Sequence, residues 1–432
     1  MISFNKNKFF QFFILSIAFF FTFGCYVIIH EIRDAIFCIT IGKAYLPEAK
    51  ILSCFMLIPL MALYTFLYKR LSNSNLLCMY GLLYVLMMFV ASFYAFESKI
   101  IAWILYVMFE GFNPFFVSIL WAFLNSISTV EDIKKKYIII TSSAKLGGIC
   151  FSLVGYYLMT RISETPLCDP YIVLLRMIAC SLVIVITVIM MYEKIFKPLT
   201  CNKSCNKNTP VHTQQSEGSG IDLFWKYPYV AGIFLMVLLW DVINIIFNYM
   251  RISLCLNESK STAHFGALLF KNAIYTQLLG LTIVIIGAST ITRYWGQRIS
   301  LLLIPIFIGL ALCAIMVFPS ATTVIYGYMF MRAINYAFAY PIREGLYIPT
   351  SNEIQFKTKP YIEGFGSKIG KMFGSLYNKF IYLIPASLLL TINAYFFTFF
   401  IIAWTILAYL LGKKWEDAVK KNYIIGDEKS LK

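Results

Sequence analysis

Glu110 sits inside a long apolar run with no cation near it in sequence, and Lys145 sits in another run beside Gly147 and Gly148. Ionised groups are costly in such surroundings, so they pair with one another or serve a polar ligand. More of them lie within or at the ends of apolar runs: His30-Glu31-Ile32-Arg33-Asp34, Asn113-Pro114 just after Glu110, Asp241 and Asn244 followed by Arg251, then Lys271, Arg332 and Arg343-Glu344. The chemistry open to this set is ion pairing and anion binding. Arginine offers a planar fork of donors that matches phosphate or carboxylate oxygens, while lysine offers a compact point charge. Arginines and lysines in both halves of the chain favour a polyanionic ligand. A blander account competes with this one. Arg33, Arg251 and Lys271 are placed where long cations reach out to lipid headgroups, Arg343 and Glu344 can be a local ion pair, and Asp241 can pair with a neighbour.

Other chemistries find little support. The chain has no H-E-x-x-H, no G-x-S-x-G and no Walker pattern, and only three histidines. An enzyme is not expected. Cys201 and Cys205 have C-x3-C spacing without a second ligand pair, so neither metal nor cofactor is expected. His30, His264 and His212 suit interfaces and linkers better than catalysis. The run Gly366-Ser367-Lys368-Ile369-Gly370-Lys371 resembles a phosphate loop, but its glycines are one residue too close and Met372 follows the lysine. Amides and lysines at a helix start still suit anions, and Lys371 stands where a helix should begin.

The elements that must hold these residues are membrane helices. Of 432 residues, 60% are hydrophobic and 13% charged, about half the charged share of a soluble domain. The apolar residues come in blocks of about 20, the length of a bilayer-spanning helix. Twelve spans are read, at 9–30, 47–68, 75–96, 100–126, 137–160, 171–192, 227–250, 264–291, 299–318, 322–345, 370–391 and 394–412. Lysines and arginines mark alternate loops, among them Lys69-Arg70, Lys134-Lys135-Lys136, the stretch from Lys194 to Lys207, and Lys357 to Lys371. By the positive-inside rule both termini are cytoplasmic. The net charge of +16 is then mostly a topology signal; no basic folded surface suggests nucleic acid. A polar stretch at 197–224 reads as a flexible linker between six-span bundles at 1–196 and 225–415, with a cytoplasmic tail at 416–432. The expected fold is all-α and polytopic, with twelve transmembrane helices in two pseudo-symmetric bundles of six. That is the layout of a major-facilitator-like transporter, whose substrate site lies near the midplane. In such a layout spans 1, 4, 7 and 10, which carry most of the charges above, line the cavity.

Three motifs then resemble the ATP/ADP translocase family, the nucleotide transporters of plastids and obligate intracellular bacteria. That family shows K-E-M-A-Y-I-P-L, then K-x-K, then A-I-D-V-x-G-x-R-x-G-K-S-G-G-S. This chain has Arg343-Glu344-Gly345-Leu346-Tyr347-Ile348-Pro349, Lys357-Thr358-Lys359, and Tyr361 through Ser375 with Gly366, Lys368, Gly370 and Lys371 in order. A second run, Met108-Phe109-Glu110 followed by Trp121-Ala122-Phe123-Leu124-Asn125 and Ser128-Thr129-Val130-Glu131, is similar to the family's M-A-E…F-W-x-F-A-N…T-x-x-E. Arg33-Asp34 resembles the family's K-D at the end of span 1. The resemblance implies that Arg33, Glu110 and Arg343 stand at three of four charged positions tied to substrate. At the fourth, in span 7, this chain has Phe247 in place of glutamate.

The resemblance implies a nucleotide transporter that exchanges ATP for ADP by alternating access. The expected substrate contacts are Arg33, Glu110, Asn113, Lys145, Asn244, Arg251, Arg343 and Glu344. Asp34, Asp241, Lys368 and Lys371 are expected to pair charges or gate. Glu110 balances charge or pairs with a cation when the site is empty. The expected partners are ATP, ADP and the lipid bilayer, the expected state is a monomer, and the expected location is the cell membrane of an intracellular bacterium or parasite. Two alternatives stand beside this: a carrier of another nucleotide or NAD, with proton coupling, and a non-transporting membrane sensor or scaffold.

Overall fold

Backbone amides that meet no water must bond within their own segment, so apolar stretches of this length fold as helices. The computed structural model describes residues 6–68, 70–127, 130–161, 169–204, 226–286, 288–351, 354, 358–381, 383–421 and 423–426. Expectations for Ser128, Thr129, Cys205, Lys207, His212 and Lys357 fall outside them. The helices are α1 (Lys6–Thr40), α2 (Leu46–Tyr68), α3 (Asn73–Tyr94), α4 (Lys99–Phe112), α5 (Ser118–Ile127), α6 (Val130–Arg161), α7 (Pro170–Ser204), α8 (Pro228–Glu258), α9 (Thr262–Ile286), α10 (Ala288–Val317), α11 (Ala321–Ile334), α12 (Tyr340–Gly345), α13 (Lys359–Ile381) and α14 (Ala386–Lys420). Among the described residues no strand forms, and nine stretches are long and apolar enough to cross a membrane. The stretches at α9, α11–α12 and α13, also read as spans, are helical but are not among those nine.

Two helices carry a wider turn at matching places. Between α4 and α5, Asn113–Val117 form a π-helical turn, and Asn335–Ala339 form another between α11 and α12. Pro114 supplies no N–H to the Glu110 carbonyl, so the first helix cannot keep its i−4 ladder there. The Ser118 amide bonds back to the Asn113 carbonyl instead. Pro341 follows the second turn. Such turns are frequent beside functional groups.

The chain divides into two units, Met1–Gln214 with Cys255–Ile274, and Gln215–Leu254 with Tyr275–Lys432. In the first, α1 packs along α6 and α7, α3 along α7, and both α1 and α2 against α4. The Ser143 hydroxyl of α6 donates to the Ser16 carbonyl of α1 at 2.6 Å, and the Tyr171 hydroxyl donates to the Thr262 carbonyl at 2.9 Å.

In the second unit α10 packs along α14 and α11. α10 breaks at Gly296, whose φ of +77° suits a residue without a Cβ. Helix α13 lies directly on α8: a Cβ added at Gly370 would come within 2.7 Å of the Leu238 carbonyl, and one at Gly374 within 2.8 Å of the Val242 carbonyl. The glycines that resemble a phosphate loop are therefore a packing stripe. Because α13 begins at Lys359, Lys371 lies inside a helix and not at its start. α12 and the residue after it are pinned from three sides. The Tyr229 hydroxyl donates to the Leu346 carbonyl at 2.8 Å, the Trp415 indole to the Gly345 carbonyl at 3.0 Å, and the Gln297 amide to the Ile342 carbonyl at 2.6 Å. Beyond α14 the chain returns to the same segment, where Ile425 takes both bonds of a bridge to Pro349 and Ser351 at 2.8 and 2.9 Å.

Candidate functional site

α1 continues ten residues past the end expected for span 1, so Arg33 and Asp34 lie inside a helix and not at its exit. Both are buried, at 6% and 1% exposure, which rules out a cation reaching to headgroups. Arg33 donates through Nε and Nη2 to the two Asp34 oxygens at 2.8 and 3.1 Å. Its Nη1 donates to Glu110 Oε1 of α4. The same Glu110 oxygen accepts from Lys50 Nζ of α2. Lys50 is 6% exposed, and no sequence feature marked it. The Tyr106 ring, one turn before Glu110, lies 5.2 Å from the Arg33 guanidinium and 5.5 Å from the Lys50 ammonium. Each contact has the cation–π geometry worth most where water is excluded. Next to this group His30 Nδ1 lies 3.2 Å from Glu31.

The second unit gathers its charges in two places. On α8, Asp241, Asn244, Asn248 and Arg251 recur at three- and four-residue spacing and share a face. Arg251 is 1% exposed and donates to Asn248 Oδ1 at 3.0 Å. The Tyr328 hydroxyl donates to the same oxygen at 3.0 Å, while Arg332 Nη1 reaches the Tyr328 hydroxyl at 3.4 Å. Arg251 and Arg332 lie 5.0 and 5.9 Å from the Tyr328 ring. Asn244 Oδ1 is buried with no hydrogen-bond partner.

The second place joins α8, α12 and α13. Asp241 hydrogen-bonds Ser367 and lies within electrostatic reach of Lys371, Arg343 and Lys368. Arg343 lies within electrostatic reach of Asp241 and Glu363. Lys359 Nζ lies 2.6 Å from Glu344 and 4.0 Å from Glu363. Glu363 hydrogen-bonds Glu344. Burial first, then the Glu344 charge and that hydrogen bond, push Glu363 up to about 7, against the pull of Lys359 and Arg343.

Two expected contacts stand elsewhere, and so does the position where glutamate was lost. Asn113 is exposed and opens the π turn. Lys145 is half-buried on α6 near Ser143, which bonds Ser16; that carbonyl is 17 residues before Arg33, or about 25 Å along a helix. Phe247 is fully buried with its ring 5.2 Å from Phe397, so the position that carries glutamate in the resembled family is core here.

One signal could have found Tyr106. The π turns begin at Asn113 and Asn335, each preceded three residues earlier by a charge, Glu110 or Arg332, and seven residues earlier by a tyrosine, Tyr106 or Tyr328. Each tyrosine is flanked by two cations. The pattern is an internal repeat with the charge inverted at one position.

Residues 312–415 match the family model described as TLC ATP/ADP transporter. The resemblance read from the motifs is borne out over that stretch, which contains Arg332, Arg343, Glu344, Lys368 and Lys371. No curated protein matches the chain. Among solved structures, a bacterial homologue of the iron transporter ferroportin aligns over 94% of this chain and 97% of its own, with 10% identity and a TM-score of 0.64. The D-xylose-proton symporter aligns over 98% and 99%, with 12% identity and a TM-score of 0.56. The nucleoside transporter NupG aligns over 95% and 98%, with 12% identity and a TM-score of 0.53. At these identities the likeness is one of fold, that of major-facilitator-type transporters. The family match and the fold together describe an integral membrane transporter and not an enzyme.

Proposed function

We propose that the chain carries a nucleotide across a membrane by alternating access and exchanges ATP for ADP. The observation that carries this reading is the match to the ATP/ADP transporter family over the stretch with Arg343 and Glu344. The buried arginines support it, because a guanidinium fork fits phosphate oxygens and a buried cation needs an anionic partner. On this reading Arg33, Arg251 and Arg343 take the phosphates, Glu110 balances charge while no substrate is bound, and Asp241 with Lys368 and Lys371 forms the charge pairing that shifts between states. Twelve crossings with both termini cytoplasmic complete it. Exchange of a tetravalent for a trivalent nucleotide moves one net charge, so its direction responds to membrane potential by about 2.3 kcal/mol per 100 mV.

The test is uptake of labelled ATP and ADP into proteoliposomes holding the purified chain, with and without nucleotide inside. Exchange that requires internal nucleotide is expected, and Arg33→Ala and Arg343→Ala each abolish it. Uptake that is equal in both variants removes the residue assignment; no uptake of any nucleotide removes the function. The carboxylate pair Glu344–Glu363 favours a second reading, nucleotide uptake with a proton. Uptake without internal nucleotide, driven by an inward proton gradient and lost in Glu363→Gln, distinguishes it.

A further inference from the structure

Glu110 Oε1 stands between two buried cations, Arg33 Nη1 and Lys50 Nζ. That is the place an oxygen of a bound phosphate takes in a forked cationic site. The other carboxylate is held differently. Asp34 adjoins Arg33 in the chain and grips it through both oxygens, so Asp34 is the fixed counter-ion. Glu110 comes from another helix, just ahead of the π turn that begins at Asn113, and touches the cations through one oxygen. The four side chains Arg33, Lys50, Asp34 and Glu110 sum to zero. With Glu110 withdrawn they sum to one positive charge in a buried place, which is stable only if another anion enters. A second observation points the same way. The Tyr106 hydroxyl is buried, on a residue 1% exposed, and has no hydrogen-bond partner. A buried hydroxyl left without a partner is costly, and here it belongs to the ring that lies against both cations.

We propose that Lys50 and Arg33 form a two-cation seat for a phosphate group of the transported nucleotide, with Tyr106 as its floor, and that Glu110 occupies this seat in the substrate's absence. The inference rests on the nucleotide-transport reading and adds to it a cation that neither the motifs nor the family match mark. Phosphate displaces Glu110 because it brings more negative charge and several oxygens to the same donors. The Tyr106 hydroxyl then has an acceptor. The released carboxylate makes the first unit sensitive to occupancy: the seat is neutral with Glu110, neutral or negative with phosphate, and unstable when empty.

The experiment is equilibrium binding of labelled ATP, ADP and adenosine to the purified full chain in detergent. Lys50→Met is expected to weaken ATP binding about tenfold or more and to leave adenosine unchanged, while Lys50→Arg restores most of the ATP affinity. A purely structural lysine is separated by repeating Lys50→Met in a Glu110→Gln background. A seat lysine still costs about tenfold there. If Lys50 is only the counter-ion of Glu110, the substitution has no effect in that background, and the proposal is overturned. Wild-type chain that binds ATP together with an unchanged Kd in Lys50→Met also overturns the seat and leaves the transport reading standing. Wild-type chain that binds no nucleotide overturns both.

Discussion

Tyr106 and Tyr328 hold equivalent places, each seven residues before a π turn and each flanked by two cations. Their surroundings differ in charge. Around Tyr106 the acceptor is the carboxylate of Glu110, which neutralises a cation. Around Tyr328 the shared acceptor is the neutral amide of Asn248, and the position of Glu110 is taken by Arg332. One half of the repeat is a closed ion network and the other an amide-centred, more basic one.

The harshest way to break the comparison is to make the halves alike. Glu110→Arg places a third cation beside Arg33 and Lys50, and the loss is expected to exceed the about 3–5 kcal/mol typical of a broken buried pair. Size-exclusion recovery and the melting midpoint in detergent measure it. Glu110→Leu falls within that range. Asn248→Leu, which removes an uncharged acceptor, costs about 1–3 kcal/mol; equal losses at the two sites would erase the proposed distinction. The reverse exchange, Arg332→Glu, gives the second half a carboxylate. It is expected to weaken ATP binding by about tenfold with little change in melting.

The tyrosines themselves give a finer contrast. The Tyr328 hydroxyl bonds Asn248, so Tyr328→Phe costs about 1 kcal/mol. The Tyr106 hydroxyl has no partner, so Tyr106→Phe is neutral or stabilising without ligand and destabilising to the nucleotide complex. The smallest effect concerns pH and is placed in the second unit. Glu363 is raised to about 7, so the folded chain holds this proton more tightly than the unfolded one. The contribution is full below the ordinary carboxylate range and is lost as pH rises through about 7. Lys359, Glu344 and Glu363 are about a third exposed, so solvent screening keeps the change to about 1 kcal/mol or less. Melting midpoints from pH 5 to pH 8 should fall slightly, and Glu363→Gln should flatten the curve.

Helix after helix was legible from sequence because apolar runs of bilayer length leave the backbone no other choice. Charges such as Glu110 and Arg343 were legible because a charge within an apolar run is expensive. Lys50 was not, since it lies three residues into a span, where a lysine ordinarily reaches out to water; only the fold shows it turned inward to Glu110. Tyr106 was hidden among 29 tyrosines. The extent of α1 was missed because a cluster of charges looked like an exit, yet Asp34 neutralises Arg33 within the helix itself. The glycines at 366–374 misled for a related reason. Close approach of a phosphate and close approach of a neighbouring helix both demand the absence of a Cβ, and spacing alone separates them poorly.

The bridge between Ile425 and the Pro349–Ser351 strip has a practical corollary. Ile424 beside it is 46% exposed. A fluorophore attached through Ile424→Cys, with the exposed Cys150, Cys180 and Cys313 removed, would ride on the strip that follows Arg343. The end of the chain thus offers an optical gauge of that strip, and its displacement during turnover could be timed without placing any probe near the substrate.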